Sequence, residues 1–175
     1  VFATVCITAG GYVINDYFDI KTDLINRGKV IVGTLISRRK AMMWHSVFNI
    51  AGVAAGCYVS ARAGYVWLGL LFLLVSGLLY FYSASYKRQF LIGNIIVSIL
   101  TAMVPLLVIL YEWPAVYRYY TVNATGMPRL DFLLFWIGGF ALFAFLMTFA
   151  REIIKDIEDF EGDRTYGRNT IPVVI

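Results

Sequence analysis

The chain is 175 residues long, 60% hydrophobic, 17% aromatic and 15% charged, with a formal net charge of +4. A soluble domain usually carries about 25% charged residues, so the composition excludes an ordinary water-facing surface and points to helical membrane spans of about 20 apolar residues each. Cys6 and Cys57 both fall in apolar stretches, which argues against a disulfide scaffold or a zinc site. Loop topology accounts for the positive balance without a nucleic-acid partner.

In chain order, residues 1–14 (VFATVCITAGGYVI) read as the last two-thirds of a membrane helix. Residues 15–27 (NDYFDIKTDLINR) end that apolar run with aspartates and asparagines. Whole spans are predicted at 41–60, 64–84, 90–111 and 130–150. The chain starts on Val1 without a signal-peptide layout and stops at NTIPVVI, which reads as the approach to another apolar segment. The expectation is one all-α, polytopic transmembrane domain over 1–175, incomplete at both ends. Within it, His45 reads as a structural side chain, and Gly52 and Gly56 as a close-packing G-x3-G pair. Pro105 predicts a kink. The run YRYY at 117–120 reads as an interfacial belt, and NAT at 123–125 as a glycosylation sequon expected to be unused.

Basic residues set the orientation. Segments 15–40, 85–90 and 151–175 together hold twelve Lys and Arg, against Arg62, Arg118 and Arg129 on the opposite face. By the positive-inside rule the first face is cytoplasmic. Nine of the eleven carboxylates lie in the same segments, all except Glu112 and Asp131. Asp and Glu contribute little to topology, so they need another cause.

Asp16, Asp19 and Asp23 form D-x2-D-x3-D, and Asp156, Asp159 and Asp163 repeat that spacing. On a continuous helix these offsets fall within about 60° of one another, so each cluster would present three carboxylates on one face. Gly162 leaves the end of the second helix open. Close like charges cost about 4 kcal/mol per pair at about 4 Å and an effective dielectric near 20. A bound cation would relieve that repulsion, and oxygen-only ligands suit Mg²⁺. The outer aspartates of a cluster lie about 10 Å apart along the axis, too far for one ion at about 2.1 Å per ligand, so two ions bridged by a phosphate group fit better. Lys87, Arg88 and Arg27 add phosphate-gripping cations on the same face.

These motifs resemble those of the UbiA-type intramembrane prenyltransferases. NDYFDIKTDLINR is similar to the family's first aspartate-rich motif, KDIEDFEGDRTYGRNTIPV to its second motif and following loop, and YSASYKR to its Y-S-x2-[LY]-K-R turn. The resemblance covers essentially the whole chain, and its first motif looks most like the geranylgeranylglyceryl phosphate branch. It implies a fragment of a nine-helix bundle around a central cavity, covering helices two to six, with both motifs at the cytoplasmic mouth. It implies Asp16, Asp19, Asp23, Asp156, Asp159 and Asp163 as Mg²⁺ ligands, with Lys87 as a further catalytic group. Asn15, Asn26, Arg27, Tyr82, Arg88 and Arg164 would bind substrate. The chain departs from the usual pattern after Arg27, where Gly28 and GKVIVGTLIS replace a proline-led loop.

The expected function is Mg²⁺-dependent transfer of a prenyl group from a prenyl diphosphate to a lipophilic acceptor in the bilayer, a prenylated glycerol phosphate or an aromatic quinone precursor. Two other readings compete. A CDP-alcohol phosphotransferase would carry the string D-G-x2-A-R, which is absent here. A cation transporter would place its charges near mid-span, whereas these lie at helix ends.

Overall fold

The computed structural model describes residues 1–122 and 130–174. The sequon at 123–125 and Arg129 lie outside the described residues. Five long helices carry the chain: α1 (Phe2–Arg27), α2 (Arg38–Arg62), α3 (Gly69–Ala84), α4 (Ile92–Val122) and α5 (Leu130–Glu158). Two short ones follow, α6 (Phe160–Thr165) and α7 (Ile171–Val174). Single 3-10 turns at Val66–Leu68 and Tyr86–Arg88 precede α3 and α4.

Among the described residues three segments are long and apolar enough to cross a membrane: Val66–Arg88, Ile92–Thr121 and Asp131–Glu158. They correspond to the predicted spans at 64–84, 90–111 and 130–150. The predicted span at 41–60 is helical within α2, and 1–14 within α1, but neither is among those three. The polar load explains the difference: α2 carries Arg38, Arg39, Lys40, His45, Asn49 and Arg62, and α1 carries its aspartates. Only 6% of the apolar window in Asp131–Glu158 is buried. Its exposed Phe135, Trp136, Phe140 and Phe143 suit contact with lipid.

α1 packs against α2 and α3, α4 against α5, and α6 returns to α1. Ala3, Ile7 and Phe72 form the centre of the first group, flanked by Val53, Val75, Leu79 and Tyr111. The G-x3-G pair does what small residues do at helix crossings. A Cβ on Gly52 would lie 2.6 Å from Ile7, and one on Gly56 2.4 Å from the Phe72 ring. His45 is also structural in its contacts: its Nδ1 lies 2.9 Å from the Gly10 carbonyl, and Asn49, beside it, accepts from Ser76. Both cysteines are free. α4 is a single helix through Pro105 and Pro114. At about 1.5 Å per residue its 31 residues exceed a hydrocarbon core of about 30 Å, which leaves Tyr117 and Tyr119 for the interface.

The loop after α1 explains the departure at Gly28. Gly28 ends α1 in the left-handed conformation (φ 66, ψ −5), its N–H donating to the Leu24 carbonyl. Proline is locked near φ −65° and has no N–H, so this helix end excludes the proline expected from the resemblance.

Candidate active site

Four elements bring the acidic clusters together. α1 runs unbroken to Arg27, so Asp16, Asp19 and Asp23 share a face as the spacing predicts, with Asp19 buried and Asp16 exposed. The second cluster does not lie on one unbroken helix. α5 ends at Glu158 and α6 begins at Phe160, with Asp159 in the break. The rise is nevertheless maintained, because Asp159 N donates to the Lys155 carbonyl (2.9 Å) and Asp163 N to the Asp159 carbonyl (3.0 Å). Gly162 does not end the helix; it lets α6 meet α1. A Cβ there would lie 2.7 Å from the Asn26 amide, whose Oδ1 accepts from Gly162 N at 2.8 Å. Asn26 Nδ2 in turn donates to Asp159 Oδ1 at 3.2 Å.

Two cations converge on Asp19, and one of them bridges to the second cluster. Lys87, in the 3-10 turn before α4 and 9% exposed, pairs with Asp19 and donates to Asn15 Oδ1 at 2.9 Å. Arg168, in the loop after α6, donates to Asp19 Oδ1 (3.1 Å), Thr22 Oγ1 (3.0 Å) and Asp163 Oδ1 (3.2 Å). The loop itself is tied to the Lys87 turn, where Asn169 N donates to the Arg88 carbonyl at 3.0 Å. Burial pushes the Asp19 carboxyl up, but Lys87 and Arg168 outweigh it and hold it below its ordinary value. Burial raises Asp163 despite Arg168 beside it. It raises Asp23 too, with the Asp19 charge adding to the effect.

Asp156 accepts from Asn94 at 2.9 Å, and Tyr82 donates to Glu152 at 3.0 Å. Arg27, Arg88 and Arg164 are exposed and stand outside these ion pairs; Arg164 lies over the Phe160 ring. Above the clusters lies a cavity of about 410 Å³ between α1, α3, α4 and α5. Its walls are apolar along Leu71, Phe72, Val75, Leu100, Val104 and Leu107. Its polar end holds Asn15, Tyr82, Arg151, Glu152 and Lys155.

Among the described residues no three His, Cys, Asp or Glu side chains stand close enough together to hold a metal ion unaided. The donor chemistry fits a hard divalent cation all the same. Every candidate ligand is a carboxylate, and Asp16 and Asp23 have no ion pair among the described residues. Mg²⁺ usually takes one or two carboxylates and completes its shell with waters and substrate phosphates.

Sequence reasoning missed Arg168, Glu152, Asn94 and Lys155 as site residues. Glu152 left a signal, since it lies one turn before Asp156 on the same helix. Arg168 left none beyond its place in a basic tail; only the return of the loop onto α1 assigns its partners.

The profile of the family described as the UbiA prenyltransferase family matches residues 1–175. Digeranylgeranylglyceryl phosphate synthase of Thermococcus kodakarensis is 35% identical over 168 residues, covering 95% of this chain and 52% of that protein. The protein of the same name from Methanosphaera stadtmanae is 32% identical over 178 residues, covering 99% and 57%. That from Sulfolobus acidocaldarius is 35% identical over 167 residues, covering 95% and 53%. The chain thus spans about half the length of these relatives. No solved structure matches it.

Proposed function

The chain belongs to the UbiA prenyltransferase family, and from that premise we propose that its protein transfers a prenyl group from a prenyl diphosphate to a lipophilic acceptor in the membrane, releasing diphosphate. One observation carries the reading: Arg168 bridges two aspartate clusters through Asp19 and Asp163, and Lys87 pairs with the same Asp19, beside the polar end of an apolar cavity. The cavity suits an isoprenoid tail, and its polar end suits a diphosphate.

Each residue then has a task. Asp16, Asp19, Asp23, Asp156, Asp159 and Asp163 would hold Mg²⁺, which when bound supplies charge neutralisation to the departing diphosphate. Lys87 faces the same anion, positioned by Asn15 and Asp19. Arg27, Arg88 and Arg164 are exposed and available to phosphate oxygens. Asn26 orients Asp159 rather than projecting freely. Tyr82 stands at the polar end of the cavity, where an aromatic face stabilises developing allylic cation character. The relatives' name favours a prenylated glycerol phosphate over an aromatic quinone precursor as acceptor. The basic bias of the motif-bearing segments places this site on the cytoplasmic face in our reading.

The test is the full-length protein with labelled prenyl diphosphate, Mg²⁺ and a panel of acceptors, with and without chelator. Mg²⁺-dependent appearance of prenylated product is expected. Absence of metal-dependent diphosphate release with every acceptor would refute the proposal.

A further inference from the structure

Glu152 is the one carboxylate among the described residues that line the cavity. It does not belong to either aspartate cluster, and its side chain is only 8% exposed. A carboxylate against apolar walls is costly unless its oxygens are satisfied. Here the two oxygens are treated differently. Oε2 accepts from the Tyr82 hydroxyl at 3.0 Å, which fixes the direction of the group. Among the described residues Oε1 accepts only from Arg151, whose side chain is 65% exposed. An exposed arginine is a readily exchanged partner, so Oε1 is the oxygen that an entering hydroxyl can reach. Asn15 lines the same polar end and accepts from Lys87. A prenyl diphosphate gripped there with its tail in the apolar part would present its first carbon close to Glu152.

We propose that Glu152 is the base that takes the proton from the acceptor's hydroxyl group; the inference rests on the prenyl-transfer reading above. The bond between the first prenyl carbon and the diphosphate oxygen breaks, and its electron pair leaves with the diphosphate. The acceptor oxygen forms the new bond to that carbon, and its proton passes to Glu152 Oε1. Tyr82 is a positioning residue in this step. The proposal commits the acceptor to a hydroxyl nucleophile, which forms an ether.

The experiment uses full-length wild type and Glu152→Gln with labelled geranylgeranyl diphosphate, Mg²⁺ and geranylgeranylglyceryl phosphate. General-base catalysis contributes about 10²–10⁴-fold, so ether formation in Glu152→Gln should fall at least about 100-fold. Affinity for the prenyl diphosphate, measured by direct binding, should stay within about threefold of wild type. Glu152→Asp keeps the charge and should recover part of the rate. It also decides the matter if the glutamine variant does not fold: a lower kcat with unchanged donor binding supports the base, and an unchanged kcat overturns it. Unimpaired Glu152→Gln beside an active wild type overturns the base alone. Parallel loss of donor binding and turnover returns Glu152 to a structural role. A wild type that transfers no prenyl group refutes the underlying reading instead.

Discussion

Asp19 is the counter-ion of two cations at once, with its side chain 8% exposed. From the sequence alone, Asp19→Ala and Asp159→Ala are expected nearly to abolish turnover without loss of folded protein. The contacts change that expectation for Asp19. Removing one partner of a buried pair costs about 3–5 kcal/mol because the other charge is left unpaired, and Asp19→Ala strands both Lys87 and Arg168. Asp19→Ala should therefore lower thermal stability as well as activity, whereas Asp16→Ala, at an exposed position without an ion pair among the described residues, should lose activity alone. Thermal unfolding in detergent beside the transfer assay distinguishes them. The pH dependence follows the same group. Asp19 is held below its ordinary 3.8, so the stability it supplies is complete above about pH 4 and is lost as pH falls further, through its folded-state value. Unfolding midpoints across pH 3–7 should show that loss in wild type and a flatter profile in Asp19→Asn.

The ends and breaks of helices decide how the site is assembled. Asn26 and Gly162 form one device: the amide fits only because position 162 has no Cβ. Gly162→Ala should destabilise by about 1–3 kcal/mol through overpacking. Asn26→Ala in the same molecule should restore part of that loss, since residues in contact are not additive. A double-mutant cycle on thermal stability reads the coupling directly, and full additivity would contradict the contact. Gly28 is the second such place. Gly28→Pro cannot reach φ 66 and should unravel the last turn of α1 beside Asn26, with lower stability and lower turnover. The first aspartate spacing was readable as one helical face, because α1 continues past Arg27 before Gly28 stops it. The second was not, since nothing local announces the break at Asp159.

Across the whole molecule, the motif-bearing ends of α1, α5 and α6 and the Lys87 turn converge on one side. α2 spans 25 residues, about 37 Å at 1.5 Å per residue, enough to separate its ends across a bilayer core of about 30 Å. In a Cys57→Ser background, a membrane-impermeant thiol reagent should label Arg39→Cys only from the cytoplasmic side and Arg62→Cys only from the other. Labelling of both from one side would overturn the orientation. Composition and block hydropathy alone determined that this is a helical membrane protein, because lipid demands long apolar helices whatever their partners. The repeated aspartate spacing and the Lys87–Arg88 turn alone singled out the candidate residues for the proposed chemistry, because helical periodicity is a local property. Only the tertiary structure decided that Arg168 bridges the clusters, that Asn26 orients Asp159, and that Glu152 faces the cavity. Those contacts join residues more than 60 positions apart, and no local pattern encodes where a chain returns upon itself.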